Sequence, residues 1–522
     1  MIWLLLGVAL TAALSILGLY SWHRFAREAR GNPGFALPLD GQAFSYQTAL
    51  DQMLVNPAAA NFGKSGLATL FDNTDAFAAR AHSIQQAGRS LDVMTYIWRT
   101  DMTGWLLIRE VLDAADRGVR VRLLLDDIYV QSLDPIFLGL SFHPNIEVRL
   151  FNPLRNRSRV LWRALETVLG LRRYNRRLHC KAWIADGRLA IIGGRNIGDT
   201  YFLSPEDLTV APNLARLATR ISRDADLMLA GPAVSEIEAV FDSFWNLGLV
   251  LPIRALLPTF KVSLKRFRRN AVRRTNTTAA KAYIATVMEK NTASNALTGR
   301  LKWTSKVRIL ADPPEKAYGT RKTPWMAEQL HEMISAAQNG VHLITPYFVP
   351  DPKALADLKS LARHGVRVSL LTNALSASDN IFVHGAYRHY RTSLLASGAR
   401  IFEFSPFPKQ GLKRDVLHAK VLIIDGKQAI VGSQNFDMRS THTNAEIGVL
   451  FEEPELIAET LTFFDENAGP NHAYRLSLLG KSIQWNLQRN GMPAKETTEP
   501  EAAQALRAVS WLVGHLPIHK WL

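Results

Sequence analysis

The stretches "RLHCKAWIADGRLAIIGGRN" (Arg177–Asn196) and "VLHAKVLIIDGKQAIVGSQN" (Val416–Asn435) decide how this chain is organised. They share a histidine, a lysine, an aspartate, a glycine and an asparagine in the same order, and the members of each pair are 239 positions apart. A constant offset over that many positions predicts an internal duplication. We therefore expect two similar domains in one chain.

A second pair of related segments lies upstream, at 90–127 and 340–374. Each reads as a short apolar strand, a polar loop, an amphipathic helix and a strand that begins with Gly-Val-Arg-Val. The order strand, helix, strand predicts a βαβ unit, so the sheet of each domain should be partly parallel, with helices packed on it. The fold class is therefore α/β.

The repeated motif itself predicts a β-hairpin, because Asp-Gly stands between apolar runs at 186–187 and again at 425–426. Side chains alternate along a strand, so His179 and Lys181 should share one face, as should His418 and Lys420.

Length and charge limit the function classes. With 522 residues the chain fits two domains plus additional segments. Lys and Arg outnumber Asp and Glu by 62 to 46, so the surface should attract polyanions, either nucleic acid or acidic lipid headgroups. The single cysteine, Cys180, excludes an intramolecular disulfide and a thiolate metal cluster.

The amino terminus predicts a membrane anchor. Ile2 to Tyr20 carries no charged residue and is long enough, at about 28 Å as a helix, to span a bilayer. Basic residues follow the apolar run instead of preceding it, at Arg24, Arg27 and Arg30, which favours an uncleaved anchor over a signal peptide. By the positive-inside rule the catalytic part should lie on the cytoplasmic side.

Three further segments are open to two interpretations. The connector between the copies, including "KVSLKRFRRNAVRR", is either a solvated basic linker or a contact for anionic lipid. The arginine-rich stretch Arg155 to Arg177 poses the same choice and leads directly into His179. The tail Arg507 to Leu522 either lies in a membrane interface or packs as a terminal segment.

The repeated side chains suit chemistry on a phosphodiester. Two facing histidines can supply a nucleophile and an acid/base, because histidine titrates near neutrality. Lysine ammonium groups and the amides of Asn196 and Asn435 suit the non-bridging oxygens of the phosphate. A carboxylate could fix the tautomer of each histidine, and the candidates are Asp226 in "DADLMLA" and Glu446 in "NAEIGVL".

A family resemblance follows from these motifs. H-x-K-x4-D, then six residues and G-[GS]-x-N, occurs twice, and "FDMRSTHTNAE" (Phe436–Glu446) extends the second copy. The pattern resembles the phospholipase D superfamily and is most similar to bacterial cardiolipin synthases of the C-type branch. The resemblance implies two phospholipase D-like αβα-sandwich domains with mixed, partly parallel sheets, related by a pseudo-two-fold axis and preceded by the transmembrane helix. The expected segments are the anchor and its basic flank, the first domain, the basic connector, the second domain and the tail, at 1–30, 31–250, 251–300, 301–485 and 486–522.

The resemblance also implies a two-step transfer of a phosphatidyl group through a phosphohistidine, with no cofactor and no metal. His179 is expected to be the nucleophile and His418 the acid/base. The complete set of expected catalytic residues is His179, Lys181, Asp186, His418, Lys420 and Asp425. Asn196, Ser433 and Asn435 are expected to bind the substrate phosphate, although Gly194 stands in the first copy where Ser433 stands in the second. Asp186 and Asp425 have an alternative role as turn formers.

The expected partners are phospholipids, namely phosphatidylglycerol, alone or together with phosphatidylethanolamine, and the bilayer of a bacterial inner membrane, with no nucleic acid. Two alternatives stay open from the sequence. The same site would hydrolyse phospholipids or other phosphodiesters if water were the acceptor. A catalytically silent lipid-binding scaffold is the other alternative, although both copies retain histidine and lysine.

Overall fold

The protein is described from a computed structural model, which covers residues 2–29, 47–157, 159–204, 220–257, 263–290, 296–405, 414–489 and 492–516. Within these residues the helices are α1 Ile2–Ala29, α2 Ala49–Ala60, α3 Asn73–Gln86, α4 Met102–Asp116, α5 Asp127–Val130, α6 Asp134–Ser141, α7 Val160–Leu169, α8 Leu171–Tyr174, α9 Asp199–Phe202, α10 Ala233–Trp245, α11 Ile253–Leu256, α12 Leu264–Thr275, α13 Thr278–Lys290, α14 Met326–Ser335, α15 Pro352–Arg363, α16 Ile381–Ala396, α17 Met438–His442, α18 Pro454–Ala468 and α19 Gln504–Gly514, with a 3-10 turn at Pro314–Tyr318.

The strands that precede the second copy are β1 Ser65–Leu70, β2 Ser90–Thr95, β3 Arg120–Asp126, β4 Ile146–Phe151, β5 Ala182–Ala185, β6 Leu189–Gly193, β7 Arg220–Arg223, β8 Asp226–Ala230, β9 Val250–Pro252 and β10 Lys302–Thr304. Those that follow are β11 Val307–Ala311, β12 Gly340–Ile344, β13 Phe348–Val349, β14 Arg367–Asn373, β15 Arg400–Phe404, β16 Arg414–Leu417, β17 Val421–Ile424, β18 Gln428–Gly432, β19 Phe436–Asp437, β20 Ile447–Phe451, β21 Ala473–Leu479, β22 Ser482–Arg489 and β23 Met492–Glu496.

Two large sheets repeat one topology. The first has the order β10-β1-β8-β6-β5-β2-β3-β4-β9 and the second β11-β20-β18-β17-β12-β14-β15-β21-β22-β23. In each sheet the three strands of the predicted βαβ region are parallel, namely β2-β3-β4 and β12-β14-β15, and the other pairs are antiparallel. The predicted α/β fold with two similar domains and mixed sheets is confirmed.

Helices cover both faces of the first sheet. Trp183 of β5 donates a hydrogen bond to Ser83 of α3 at 3.0 Å, which places α3 on one face. The next paired set along the strands, Asp92 with Ile184 and Arg122, has its side chains on the opposite face of the sheet. There Arg122 binds Asp242 of α10 at 2.6 Å. The first domain is therefore a sandwich of helices, sheet and helices.

Both predicted hairpins form. Asp186 and Gly187 have φ of +53° and +64°, and Asp425 and Gly426 have φ of +57° and +64°. Two successive residues with positive φ make the turn whose twist matches that of an antiparallel pair. Strands β5 and β6, and β17 and β18, accordingly pair across these turns.

Within the described residues, the connector between the domains contains two long helices. Helices α12 and α13 pack on the first domain through buried Phe267 and Tyr283, and the Tyr283 hydroxyl donates to the Phe202 carbonyl at 3.0 Å. Strand β10, just beyond the expected boundary at 300, completes the first sheet by pairing with β1. The expected boundary at 485 falls inside β22, and of the expected tail 486–522, residues 490–491 and 517–522 lie outside the described part of the chain.

The amino-terminal helix α1 docks on the first domain at its carboxyl end. The Trp22 indole donates to the Pro153 carbonyl at 3.1 Å, and the Arg173 guanidinium stacks 4.0 Å from the Trp22 ring. The predicted transmembrane span is not found: within the described residues, none of the helices combines the length and the apolar character that crossing a bilayer requires.

Candidate active site

The two repeated motifs meet because each domain extends a segment to the other. The chain around His179 pairs with that around Ala445, through bonds of 2.9 Å from the His179 amide to the Ala445 carbonyl and from the Ala445 amide to the Arg177 carbonyl. Strand β16, which leads into His418, lies parallel to β7 of the first domain. These two exchanges bring both histidine strands to one seam.

Each histidine is held by a carboxylate of the other domain. His179 Nδ1 lies 2.8 Å from Glu446 Oε2, and His418 Nδ1 lies 2.6 Å from Asp224 Oδ2. A carboxylate at Nδ1 fixes the proton there and leaves the lone pair of Nε2 as the reactive one. The arrangement therefore presents two imidazoles of the same tautomer to one site.

The expectation that Asp226 orients a histidine is wrong, and Asp224 takes this position. Asp226 is bound instead by Arg80 at 2.9 Å and approached by Arg195 at 3.4 Å in the core. The ladder register explains the error, because Gly193 pairs with Asp226 whereas its repeat partner Gly432 pairs with Gly448. The position equivalent to Glu446 is thus two residues before Asp226, on the same face of the strand.

Glu446 is fixed by three further groups, one of which is itself held by a lysine. The hydroxyls of Ser433 and Ser440 donate to its two carboxylate oxygens at 2.5 and 2.8 Å. Its backbone amide donates to Asp312 at 3.0 Å, and Lys316 binds Asp312 at 2.7 Å. Ser433, which was expected to bind substrate phosphate, therefore donates its hydroxyl hydrogen to Glu446.

The two lysines are buried beside the histidines. Lys181 and Lys420 are 3% and 4% exposed. Lys181 Nζ donates to the His179 carbonyl at 2.6 Å, and Lys420 Nζ lies 2.9 Å from His418 Nδ1. Within the described residues, neither ammonium group has a carboxylate oxygen within 4 Å. Burial lowers the pKa of Lys181 to about 7 and also lowers the pKa of Lys420.

The histidines are biased towards their neutral form. Burial, with the charges of Lys181 and Lys420, holds the pKa of His179 well below its usual value. Burial and the charge of Lys420 also lower the pKa of His418, although Asp224 acts in the opposite direction. His418 is itself among the groups that lower the pKa of His179, so the charges of the two rings act on each other.

The pKa values of the two carboxylates are shifted in opposite directions. Burial raises the pKa of Glu446, against the opposing effects of Lys181 and the serine hydroxyls. Burial acts in the same direction on Asp224, but the charges of His418 and Lys420 outweigh it and hold the pKa of Asp224 well below its usual value. His418 therefore has the more firmly ionised partner.

The two repeated asparagines are used differently. Asn196 accepts a bond from the Ile97 amide at 3.3 Å and donates to the Tyr201 hydroxyl at 3.0 Å. Asn435 is buried, and its side-chain oxygen has no hydrogen-bond partner among the described residues. A buried amide without a partner in the protein is suited to contact a ligand.

Asp186 and Asp425 lie at the far ends of β5 and β17, away from the histidines. The Asp186 carboxylate accepts three backbone amides at the start of β2, at 2.7–2.9 Å. Asp425 likewise accepts the amides of residues 338–340 before and at the start of β12. Seven residues of extended chain, roughly 20 Å, separate each aspartate from its histidine. We correct their expected role from catalysis to fixing the hairpin on the neighbouring strand.

Two aromatic rings at the site were missed from the sequence. The Tyr96 ring stands edge-on to His179, with ring centroids 5.0 Å apart, and Tyr201 stands edge-on to His418 at 5.3 Å. Tyr96 directly follows β2, at the end of the sheet where the ligands of α/β folds bind, and that position was an available signal. Tyr201 carried no comparable signal.

Together these groups can perform acid/base and nucleophilic chemistry on an anion. An imidazole with a defined tautomer can act at Nε2 as a nucleophile or base and, once protonated there, as an acid, and two buried ammonium groups favour a negatively charged ligand. Within the described residues, no group of three or more histidine, cysteine, aspartate or glutamate side chains is arranged to hold a metal ion.

Comparison with known proteins agrees with the duplicated architecture. The family described as "Cardiolipin synthase, PLD-like domain" matches residues 81–245 and 330–467. Cardiolipin synthase C of Escherichia coli is 36% identical over 88% of this chain and 96% of its own length. A cardiolipin synthase of Geobacillus kaustophilus is 25% identical over 77% of this chain and 66% of its own. The crystal structure of phosphatidylserine synthase from Haemophilus influenzae shares the fold, with a TM-score of 0.53 and 14% identity over 81% of this chain and 91% of that one.

Proposed function

We propose that this chain, which belongs to the family of PLD-like cardiolipin synthases, transfers a phosphatidyl group from one phospholipid to an alcohol of another through a phosphohistidine. Family membership makes it an enzyme of the phospholipase D superfamily, with phospholipids as substrates. The product we propose is cardiolipin or a close relative, made at a bacterial inner membrane with the catalytic part on the cytoplasmic side.

The first half of the proposed reaction loads the enzyme. Nε2 of His179 attacks the phosphorus of the donor, a P–N bond forms and the P–O bond to the headgroup alcohol breaks. His418 enters this half as the imidazolium, whose charge Asp224 stabilises, and gives its Nε2 proton to the leaving alkoxide, which leaves His418 neutral. The ammonium groups of Lys181 and Lys420 stabilise the charge on the non-bridging oxygens as phosphorus becomes five-coordinate.

The second half regenerates both histidines. His418, now neutral, takes the proton of the hydroxyl of the acceptor lipid, whose oxygen attacks the phosphohistidine. The P–O bond forms as the P–N bond breaks. One phosphodiester replaces another, so the transfer needs no external energy source.

The carboxylates support this division of labour. Asp224 is ionised well below neutrality, so it stabilises the positive imidazolium form that His418 must adopt as an acid. Burial keeps His179 neutral, as a nucleophile requires. The family resemblance suggests His179 as the nucleophile, the motifs themselves are nearly symmetric, and the opposite pKa shifts of Asp224 and Glu446 support the same assignment.

The observation that carries the proposal is a pair of buried lysines beside two carboxylate-held histidines: among the described residues, neither ammonium group has a carboxylate oxygen within 4 Å. Burying a cation is costly unless an opposite charge compensates it. The charges of Glu446 and Asp224 raise the pKa values of these lysines but do not offset burial, and a phosphodiester anion bound between the lysines would supply the further negative charge. The side-chain oxygen of Asn435, which has no hydrogen-bond partner among the described residues, can accept a hydrogen bond from a substrate hydroxyl.

The test is to incubate the purified protein with defined lipids and to identify products by mass spectrometry. Cardiolipin is expected, and the released alcohol identifies the donor: glycerol for phosphatidylglycerol, ethanolamine for phosphatidylethanolamine. His179→Ala and His418→Ala should abolish the product, whereas His364→Ala, which alters an exposed histidine outside the site, should not. Phosphatidic acid as the sole product would establish the alternative, a phospholipase D-type hydrolase. Activity that persists in both site variants would refute the mechanism.

A further inference from the structure

Helix α7 turns its apolar side chains towards solvent. Its sequence VLWRALETVL has no buried residue, and six large apolar residues in and just after it are exposed. We call these six residues the α7 surface: Val160, Leu161, Trp162, Leu165, Val168 and Leu171. Leu161 and Val168 are 84% and 71% exposed. In a helix that packs on a protein core, these would be the residues that face inwards.

The acidic residue of α7 faces the protein instead. Glu166 accepts bonds from the backbone amides of Arg155 and Asn156 at 2.8 and 2.9 Å, and from the Asn156 side chain at 2.8 Å. These contacts tie the helix to the loop before it and fix its rotation. The outward apolar face is therefore built into the fold and is not a consequence of a loose helix.

Helix α1 extends the same apolar region. It contacts α7 where Gly18 approaches Leu169, and its own Leu17 and Tyr20 are exposed. Exposed apolar patches of this extent on soluble proteins mark interaction sites.

Arginines surround this region. Arg24 and Arg27 of α1 and Arg155, Arg159 and Arg172 next to α7 are all exposed. Glu166 is turned inwards, and Glu28 on α1 is bound by Arg24. An apolar face with a cationic border matches the boundary between headgroups and acyl chains of an anionic bilayer.

The helix is rigidly connected to the candidate site. Before it, Arg157 binds the carboxylates of Asp127 and Asp134. After it, Arg177 binds Asp126 at 3.2 Å, two residues before His179. A bilayer held by α7 would thus be held at a fixed position relative to the histidines.

We propose that the α7 surface docks on the surface of a bilayer that contains anionic phospholipid, and so presents membrane lipid to the histidine site. The proposal rests on the proposed function, because a phosphatidyltransferase must draw both substrates from a membrane.

A local probe tests the docking in the full-length protein. The chain's one cysteine, Cys180, is fully buried, so Leu161→Cys can be labelled selectively with the environment-sensitive dye NBD. The matched control is Leu479→Cys, at a 61% exposed leucine of β21 in the other domain. With phosphatidylcholine vesicles containing phosphatidylglycerol, we expect a blue shift and a several-fold rise in emission at 161 and no change at 479. Unchanged emission at 161 with such vesicles would overturn the proposal.

An activity test separates docking from chemistry. Leu161→Asp combined with Val168→Asp should reduce transfer between vesicle lipids about tenfold or more, and leave transfer between short-chain lipids below their micellar concentration unchanged. Leu479→Asp should affect neither. Equal losses in both assays would overturn the proposal. If wild-type protein shows no transferase activity while the label at 161 still enters the bilayer, the proposed function fails and the docking surface stands.

Discussion

Gly194 leaves room for the carboxylate that holds His418, so adding a single methyl group there should disable the site. A Cβ at position 194 would lie 2.1 Å from Asp224 Oδ1. Ordinary contact needs at least 3.4 Å, so the carboxylate must move by about 1.3 Å. That oxygen also accepts the Ala225 amide at 2.9 Å, so the movement breaks this bond as well.

The expected size of the effect follows from the bond that is lost. Displacement by about 1.3 Å takes Asp224 Oδ2, now 2.6 Å from His418 Nδ1, out of hydrogen-bond range. A hydrogen bond to a charged group contributes about 1.5–3 kcal/mol, so Gly194→Ala should reduce kcat/KM about 10- to 150-fold. Gly194→Ser should do no better, although serine stands at the equivalent position of the second copy.

The assay is transfer between defined lipids, with thermal unfolding measured on the same samples. Gly340→Ala is the matched control, since the nearest atom to its added Cβ is at 3.5 Å and the substitution should be silent. Wild-type kcat/KM in folded Gly194→Ala would refute the reasoning that Asp224 supports His418.

Three other outcomes follow from the same contacts. Asp226→Asn removes the charge paired with Arg80 and should lower the free energy of unfolding by about 3 kcal/mol, whereas Asp224→Asn should mainly lower kcat/KM. Urea unfolding and the transfer assay on both variants test this difference, and the reverse pattern would contradict it. Asp186→Asn should cost about 1–3 kcal/mol of stability through its three backbone bonds while the folded enzyme keeps its activity, and an inactive but stable variant would restore a catalytic role. In pH profiles of kcat/KM, the lowered pKa of His179 places the acid limb below pH 6.5, and deprotonation of Lys181, whose pKa is about 7, lowers activity as pH rises. Lys181→Arg stays charged and should move that decline to higher pH; a decline that does not move would exclude Lys181 as its cause.

The sequence predicted the duplicated fold well because repetition and turn chemistry are local signals. The constant offset between the copies, the Asp-Gly turns and the βαβ segments each specify structure within a short stretch of chain. They correctly predicted two mixed sheets and both hairpins.

The carboxylates that bind the histidines were harder to predict from the sequence. Aligning "DAD" with "NAE" by letters chose Asp226, whereas strand register chooses Asp224. The residue beside the carboxylate also differs between the copies: Gly194 lies next to Asp224, whereas the larger Ser433 lies next to Glu446 and donates a hydrogen bond to it. This pairing becomes visible only when both sheets are assembled, because each carboxylate acts on the histidine of the other domain.

The exchange of carboxylates between domains has a consequence for biosynthesis. A nascent chain that has emerged only as far as the first domain already carries His179, but Glu446 has not yet been synthesised. Without Glu446 the His179 imidazole has no fixed tautomer, and Asp224 has not yet met its partner His418, which is synthesised almost two hundred residues later. An unfinished polypeptide on the ribosome therefore lacks both carboxylate-held histidines, and the complete candidate site forms only when synthesis is nearly finished.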